Sequence, residues 1–279
     1  MVKTYSSMPH AERSAEVSCP LCGGARYSPW LSGEGFRFVR CAGCSLVYQN
    51  PRPVFEDLRK RYDSAYFSYE LENERGFLEL IRLCMRDIDF DGLTGSFPCP
   101  RRFLDIGCAT GMLVEEMKRR GWEARGVDVC RESAEFGMKE RGIHIDIGTL
   151  EESRYPDGSF DAVHFSHLIE HVPDPRSFLS EVRRVLASGG IAVMATPNIE
   201  GLQARIFQGK WRSAIPDHLT LFGVTTLRRL LAETGFSTEK TVTWGGIARG
   251  MAPQWIKKPL DFMAKKFGFG DVMLILARL

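Results

Sequence analysis

The sequence has no apolar run near the roughly 18 residues that a membrane-crossing helix needs. Residues 1–16 are polar and hold no apolar core of a secretory signal, so a cytoplasmic chain is expected. Net charge is scarce as well. The 37 Lys and Arg against 35 Asp and Glu leave only +2, too little to argue for nucleic acid or an anionic membrane on bulk charge. No internal repeat is visible, which argues against a repeat architecture. What remains is 279 residues of ordinary globular composition, enough for one α/β domain and a small appendage.

Eight cysteines are present in that reducing setting. Cys84, Cys99, Cys108 and Cys130 are scattered and read as reduced thiols. Cys19, Cys22, Cys41 and Cys44 form two C-x2-C pairs separated by 18 residues. Each pair suits a knuckle turn, and four thiolates can converge tetrahedrally on one structural Zn²⁺. Iron or a metal-free remnant are the alternatives, and a redox C-x-x-C would need only one pair. Phe36 to Arg40 alternates as a strand between the knuckles. Residues 17–50 are therefore expected to form a zinc ribbon behind a flexible tail, 1–16.

Residues 51–92 read as a helical lid or linker segment. Phe55, Leu58 and Tyr62 recur at helical spacing, as do Phe77, Leu80, Ile81 and Cys84. Tyr62, Tyr66, Phe67 and Tyr69 are expected between these two helices, as packing or as a lid over a ligand. Gly92 to Arg102 is a linker. From there to 279 strand and helix alternate. Strands are expected at 103–106, 123–128, 143–147, 161–165, 191–195, 238–243 and 272–277, with a turn at Ser188-Gly189-Gly190. This order implies a doubly wound, mostly parallel seven-stranded sheet with ligands at the carboxyl ends of the strands.

Phe103 to Gly111 organises that domain. A short buried strand enters a glycine turn and then a helix, so backbone N–H groups of the first helical turn face a ligand. Asp128 ends the second strand 21 residues after Gly107. There it can accept both hydroxyls of a ribose or cap the next helix. A dinucleotide fingerprint begun at Gly107 needs glycine at 109 and 112, where Ala109 and Met112 stand. Asp105 would repel a pyrophosphate and can serve a ligand ammonium instead.

Asp105-Ile106-Gly107-Cys108-Ala109-Thr110-Gly111 resembles motif I of class I S-adenosylmethionine-dependent methyltransferases of small-molecule type, with Ala109 in place of the middle glycine. Pro156 to Val163, Leu168 to Pro175, Arg184 to Gly190 and Asp217 to Phe222 resemble later stretches of the same family. The cysteine pairs with Leu46-Val47-Tyr48-Gln49-Asn50-Pro51-Arg52-Pro53 resemble the zinc-ribbon leader on one branch of it. The resemblance implies a Rossmann-like fold in which Asp105, Gly107 and Gly111 cradle the methionine part of S-adenosylmethionine. It implies that Asp128 holds the ribose, that Val129, Thr149 and Leu150 flank the adenine, and that Ser166 and His167 face the methionine end.

Methyl transfer from a sulfonium is an in-line displacement, so positioning dominates, and a base is needed only for a protonated nucleophile. His167, His171 and His218 are the candidate catalytic residues, with Glu170 beside them. His167, Glu170 and His171 would share one face of a helical turn, and Asp217 could orient His218. Structural caps are the alternative. Similar quinone-pathway enzymes are thought to hold a divalent metal here, so a two-His, one-Glu set is a further reading. The expected activity is methylation of a small-molecule or biosynthetic acceptor at O, N or C. RNA modification and non-catalytic cofactor binding are the alternatives. The aromatic and lysine residues of 246–270 suit a packed helix, a dimer contact or a peripheral contact with an apolar acceptor, and a monomer or homodimer is expected.

Overall fold

Phe103, Leu104 and Ile106 are apolar on both faces of one strand, the pattern of a strand covered on both sides. In the computed structural model, which describes residues 12–33, 35–247 and 253–279, Arg102–Ile106 is a central strand with its last four residues buried. Parallel neighbours flank it. Asp105 lies beside Gly126 of Glu123–Asp128 and beside His164 of Phe160–Ser166. The seven strands run in the order Ser237–Trp244, Val272–Arg278, Leu186–Pro197, Phe160–Ser166, Arg102–Ile106, Glu123–Asp128, His144–Ile147. The first two pair antiparallel, so the expected mostly parallel doubly wound sheet is present. The expected turn at 188–190 is instead part of the strand Leu186–Pro197, in which Gly189 takes φ +75°.

The chain divides into two compact units. The first holds the described residues up to 14, then 53–165 and 184–192. Its Arg102 guanidinium donates to Asp161 at 2.7 Å, and Phe103 packs against Trp122 at 5.9 Å between ring centres. The first expected helix is the short Phe55–Leu58 with a further turn at Arg59–Arg61, after which Tyr62 follows. Tyr66, Phe67 and Tyr69 lie in the opening turns of the second, Ser64–Ile88, which Asp63 caps by accepting from Ala65 and Tyr66. Asp63 and Ser64 set that start: the side-chain oxygen satisfies first-turn donors that would otherwise be orphaned. Phe67 then meets Phe136 at 5.6 Å.

The second unit holds 15–52, 166–183 and 193–279. Three antiparallel strands, Tyr27–Gly33, Phe36–Cys41 and Val47–Gln49, make the ribbon, and a fourth strand, Thr220–Leu221, joins its edge with Thr220 opposite Tyr48. Phe38, Val47, Trp211 and Leu221 share one apolar core, which supplies burial that so small a ribbon lacks alone. Trp211 donates to Asp271 at 2.5 Å. In the segment 246–270, residues 248–252 lie outside the described residues. The rest forms a helix, Gln254–Phe267, that buries only Ala264 fully and leaves Trp255 75% and Phe262 66% exposed. Among the described residues no helix is long and apolar enough to cross a membrane.

Candidate functional site

Gly107, Ala109 and Gly111 all take left-handed backbone, at φ +70°, +48° and +75°. Gly111 is required twice over, because a Cβ there would stand 2.2 Å from Ile143 Cδ1. Ala109 occupies a conformation that costs an L-residue about 1–2 kcal/mol, the energetic meaning of its departure from glycine. The helix Met112–Arg119 that follows has no side-chain cap, so its first N–H groups remain available to a ligand.

Asp128 serves this turn in two ways. One carboxylate oxygen accepts from Ala109 N at 2.7 Å and the other from Cys130 N at 2.7 Å. The second bond is the cap-like contact weighed from sequence, and the first ties the strand end to the glycine turn. Burial pushes the Asp128 carboxyl up to about 6, against those two backbone bonds and with Asp105 adding to the rise. Each oxygen keeps a lone pair, so two hydroxyl donors would complete its solvation. The Tyr66 phenol is raised by burial and by the nearby charges of Glu70 and Asp128. Glu74 on the same helix accepts from Thr110 Oγ1 at 2.8 Å and from Arg141 at 2.6 Å. Helix Ser64–Ile88 is thereby clamped beside the glycine turn. Glu74 was not singled out from sequence, since one acid on a charged helix carries no local signal.

The other expected cofactor positions of this unit lie at the ends of adjacent strands. Asp105 is buried and meets His164 Nδ1 at 2.6 Å, so one of its oxygens is committed to the neighbouring strand. Thr149 makes a capping box with Glu152 at the start of Leu150–Ser153. Leu150 is buried and Val129 half-buried. The Gly148 N–H donates to Asp128 O at 2.9 Å, joining the ends of their strands.

In the second unit, Ser166 and His167 follow Phe165 directly. His167 sits at φ +52° and donates its N–H to Ala195 O at 2.8 Å. The expected helical turn over His167–His171 does not form; residues 167–174 are turns and bends. Pro173 removes a backbone donor and restricts Val172, which disfavours helix there. Convergence is achieved differently. Ligand-capable atoms of Glu170, His171 and His218 lie within 4.8 Å of one another. His171 Nδ1 bonds to Asp217 O at 2.9 Å and His218 Nδ1 to Ser213 O at 2.8 Å. Carbonyls only accept, so each ring carries a proton on Nδ1, and His218, whose imidazole stays neutral, presents a bare Nε2. Asp217 thus gives its carbonyl to His171, while Ser213 orients His218.

Glu170 accepts from Thr196 Oγ1 at 2.8 Å through Oε2, while Oε1 is buried without a hydrogen bond, 3.3 Å from the half-exposed His167 ring. Burial alone would raise the Glu170 carboxyl, but His167, His218 and His171 outweigh it and hold it down to about 2. Burial, then His171, lowers His218 to about 3, so at neutral pH an ionised carboxylate faces a neutral imidazole. The two imidazole rings and one carboxylate are groups that can take a proton from a substrate or ligate a divalent transition metal.

The four cysteines also converge. Sγ of Cys19 is 3.4 Å from Cys44 and Sγ of Cys22 is 3.5 Å from Cys41, with all four ligand atoms within 4.8 Å. A zinc–sulfur tetrahedron with bonds of about 2.3 Å has edges of about 3.8 Å, so the donor set fits that ion. Each knuckle closes through a left-handed residue, Gly23 after Cys22 and Ser45 after Cys44.

Comparison with known proteins agrees with this geometry. A family model described as "Methyltransferase domain" matches residues 74–241, more than half of the chain. Ubiquinone biosynthesis O-methyltransferases of Psychrobacter cryohalolentis and Aeromonas salmonicida are 33% and 37% identical over 110 and 105 residues, covering 35% of this chain in each case. The chain spans less than half the length of these curated relatives, 41% and 44%. A SAM-dependent methyltransferase structure from Archaeoglobus fulgidus superimposes with a TM-score of 0.55 at 25% identity, covering 77% of this chain and 99% of that one. A possible histamine N-methyltransferase from Thermotoga maritima, at 22% identity with a TM-score of 0.51 over 75% of this chain and 99% of its own, shows the same fold. With a seven-stranded sheet, a left-handed glycine turn and a family match over most of the sheet, this chain belongs to the methyltransferase-domain family.

Proposed function

We propose that the protein transfers the methyl group of S-adenosylmethionine to a hydroxyl of a small biosynthetic acceptor. The observation that carries the cofactor is the buried Asp128 carboxylate, held against the glycine turn and still short of two donors. A ribose diol supplies them. Gly107 and Gly111 admit the methionine part and Asp105 serves its ammonium. Val129, Thr149 and Leu150 flank the adenine, and Ser166 and His167 face the methionine end. The names of the curated relatives support a hydroxyl as the acceptor atom. His218 and His171 take the acceptor proton on Nε2, and Glu170 with His167 supports the charge that develops. Cofactor binding measured by calorimetry for wild type and Asp128→Ala tests the assignment; equal affinity would sink it.

A second reading has one specific observation behind it. The buried Glu170 carboxylate, with one oxygen lacking a hydrogen bond and its ligand atom within 4.8 Å of those of His171 and His218, suits a divalent transition metal that would bind the acceptor oxygen. Cys19, Cys22, Cys41 and Cys44 hold a structural zinc in a ribbon over 17–50, followed by a helical segment and the methyltransferase domain over 93–279. The site of action is the cytoplasm. The exposed Trp255 and Phe262 support the peripheral contact expected of 246–270.

A further inference from the structure

The third ribbon strand does more than close its own sheet. Gln49 is 1% exposed, and its Nε2 donates to Pro216 O at 2.8 Å and to His218 O at 2.7 Å. Its backbone N–H donates to Leu219 O at 2.8 Å, and Leu219 and Thr220 donate in turn to Glu170 O at 2.7 and 3.1 Å. Two outer ties run the same way. Arg52 donates to Pro173 O at 2.7 Å, and Arg176 donates to Leu21 O, inside the first cysteine knuckle, at 2.7 Å. A side-chain amide nitrogen has two donors, and both are spent on the loop that carries His218. The Nδ1–H bond of His218 to Ser213 O holds the ring only while residues 213 and 218 keep their spacing. Gln49 grips the backbone at 216 and 218, within that span.

We propose that Gln49 is the positioning residue of the Glu170–His171–His218 centre, and that the cysteine site acts on the centre through it. Metal-bound knuckles keep Val47–Gln49 in register, and Gln49 fixes the carbonyl of His218. The proposal rests on the reading of that centre as the acceptor side. A shift of about 1 Å in such a group costs about 100-fold in rate, so a ribbon remote in sequence governs the reaction without touching a substrate.

The test uses full-length, zinc-loaded protein and ¹⁵N NMR of the imidazoles. Gln49→Met keeps the chain length and removes both donors; Gln49→Glu removes them isosterically and serves where the methionine variant fails to fold. Ser28→Ala, on an exposed ribbon position, is the control. Wild type and Ser28→Ala are expected to show His218 as one Nδ1–H tautomer. The Gln49 variants should bind zinc like wild type yet show an exchange-averaged tautomer pair. Chelating the zinc from wild type should give the same change, and returning zinc should reverse it in wild type and not in the variants. A fixed Nδ1–H tautomer in a folded Gln49 variant, or in chelated wild type, would overturn the proposal. The signal does not depend on turnover, so it fails independently of the acceptor-side reading, which His218→Ala turnover tests.

Discussion

The glycine cradle and the histidine centre are built on opposite principles. The cradle is local: Gly107, Ala109 and Gly111 lie within five residues, and Asp128 reaches them from the next strand through one backbone bond. The centre joins Glu170 and His171 to His218, 47 residues beyond His171, and a ribbon strand holds the connection. A locally encoded site survives damage elsewhere in the chain, whereas an assembled one inherits the stability of every part. Cofactor binding and methyl transfer should therefore separate under mutation.

The largest break should come from the ribbon. Cys41→Ser removes one of four thiolates, and zinc sites of this kind supply roughly 10 kcal/mol or more of folding free energy. Metal analysis should find the zinc lost, and the thermal melt should fall to lower temperature and broaden. Next, His218→Ala should lower turnover of methyl-labelled cofactor with a hydroxyl-bearing acceptor by about 10²–10⁴-fold, the usual share of a general base, while cofactor affinity measured by calorimetry stays within error. Reversal of that pattern would erase the distinction between the two sites. Asp128→Ala should do the converse, costing about 3–6 kcal/mol of cofactor affinity for two hydrogen bonds to a charged group.

Acid sharpens the same contrast. The Asp128 carboxyl is raised to about 6 in the folded protein, and the proposed ribose contact needs its ionised form. Affinity should be full above pH 6 and weaken by up to about tenfold per unit as pH falls below it. Stability of the cofactor-free protein should move oppositely. A carboxyl whose folded value is raised stabilises below its unfolded value of 3.8 and loses that contribution as pH rises through 6, about 3 kcal/mol in all. Denaturant melts across that window read the sign. The smallest effect belongs to Ala109→Gly, which should stabilise by about 1 kcal/mol, by relieving a left-handed alanine at some cost in unfolded-state entropy.

Legibility in the sequence followed the same division. The sheet strands, the glycine turn and the paired cysteines were readable because each is set by neighbours a few residues away, through alternation, spacing and left-handed turns. The two helices expected before the linker are present, but the first is short, Phe55–Leu58 continued by a turn over Arg59–Arg61, and the second starts earlier than its apolar spacing showed, at Ser64 behind the Asp63 cap. The helical face expected for His167, Glu170 and His171 failed at His167, whose left-handed backbone is incompatible with an α-helical turn. Glu74 and Gln49 carried no local signal at all; their partners, Thr110 and Arg141 for one and Pro216 and His218 for the other, lie 36 to 169 residues away.

By itself the sequence determined the α/β class, the two cysteine knuckles and the glycine turn, because backbone conformation and hydrophobic periodicity are short-range properties of the chain. Only the tertiary structure decided which histidine completes the Glu170 centre, which carbonyls fix the imidazole tautomers, and that the ribbon sheet takes Thr220–Leu221 as its edge. Those outcomes depend on hydrogen bonds between segments far apart in the chain. The buried amides and carbonyls of each segment had to find partners that no local pattern specifies.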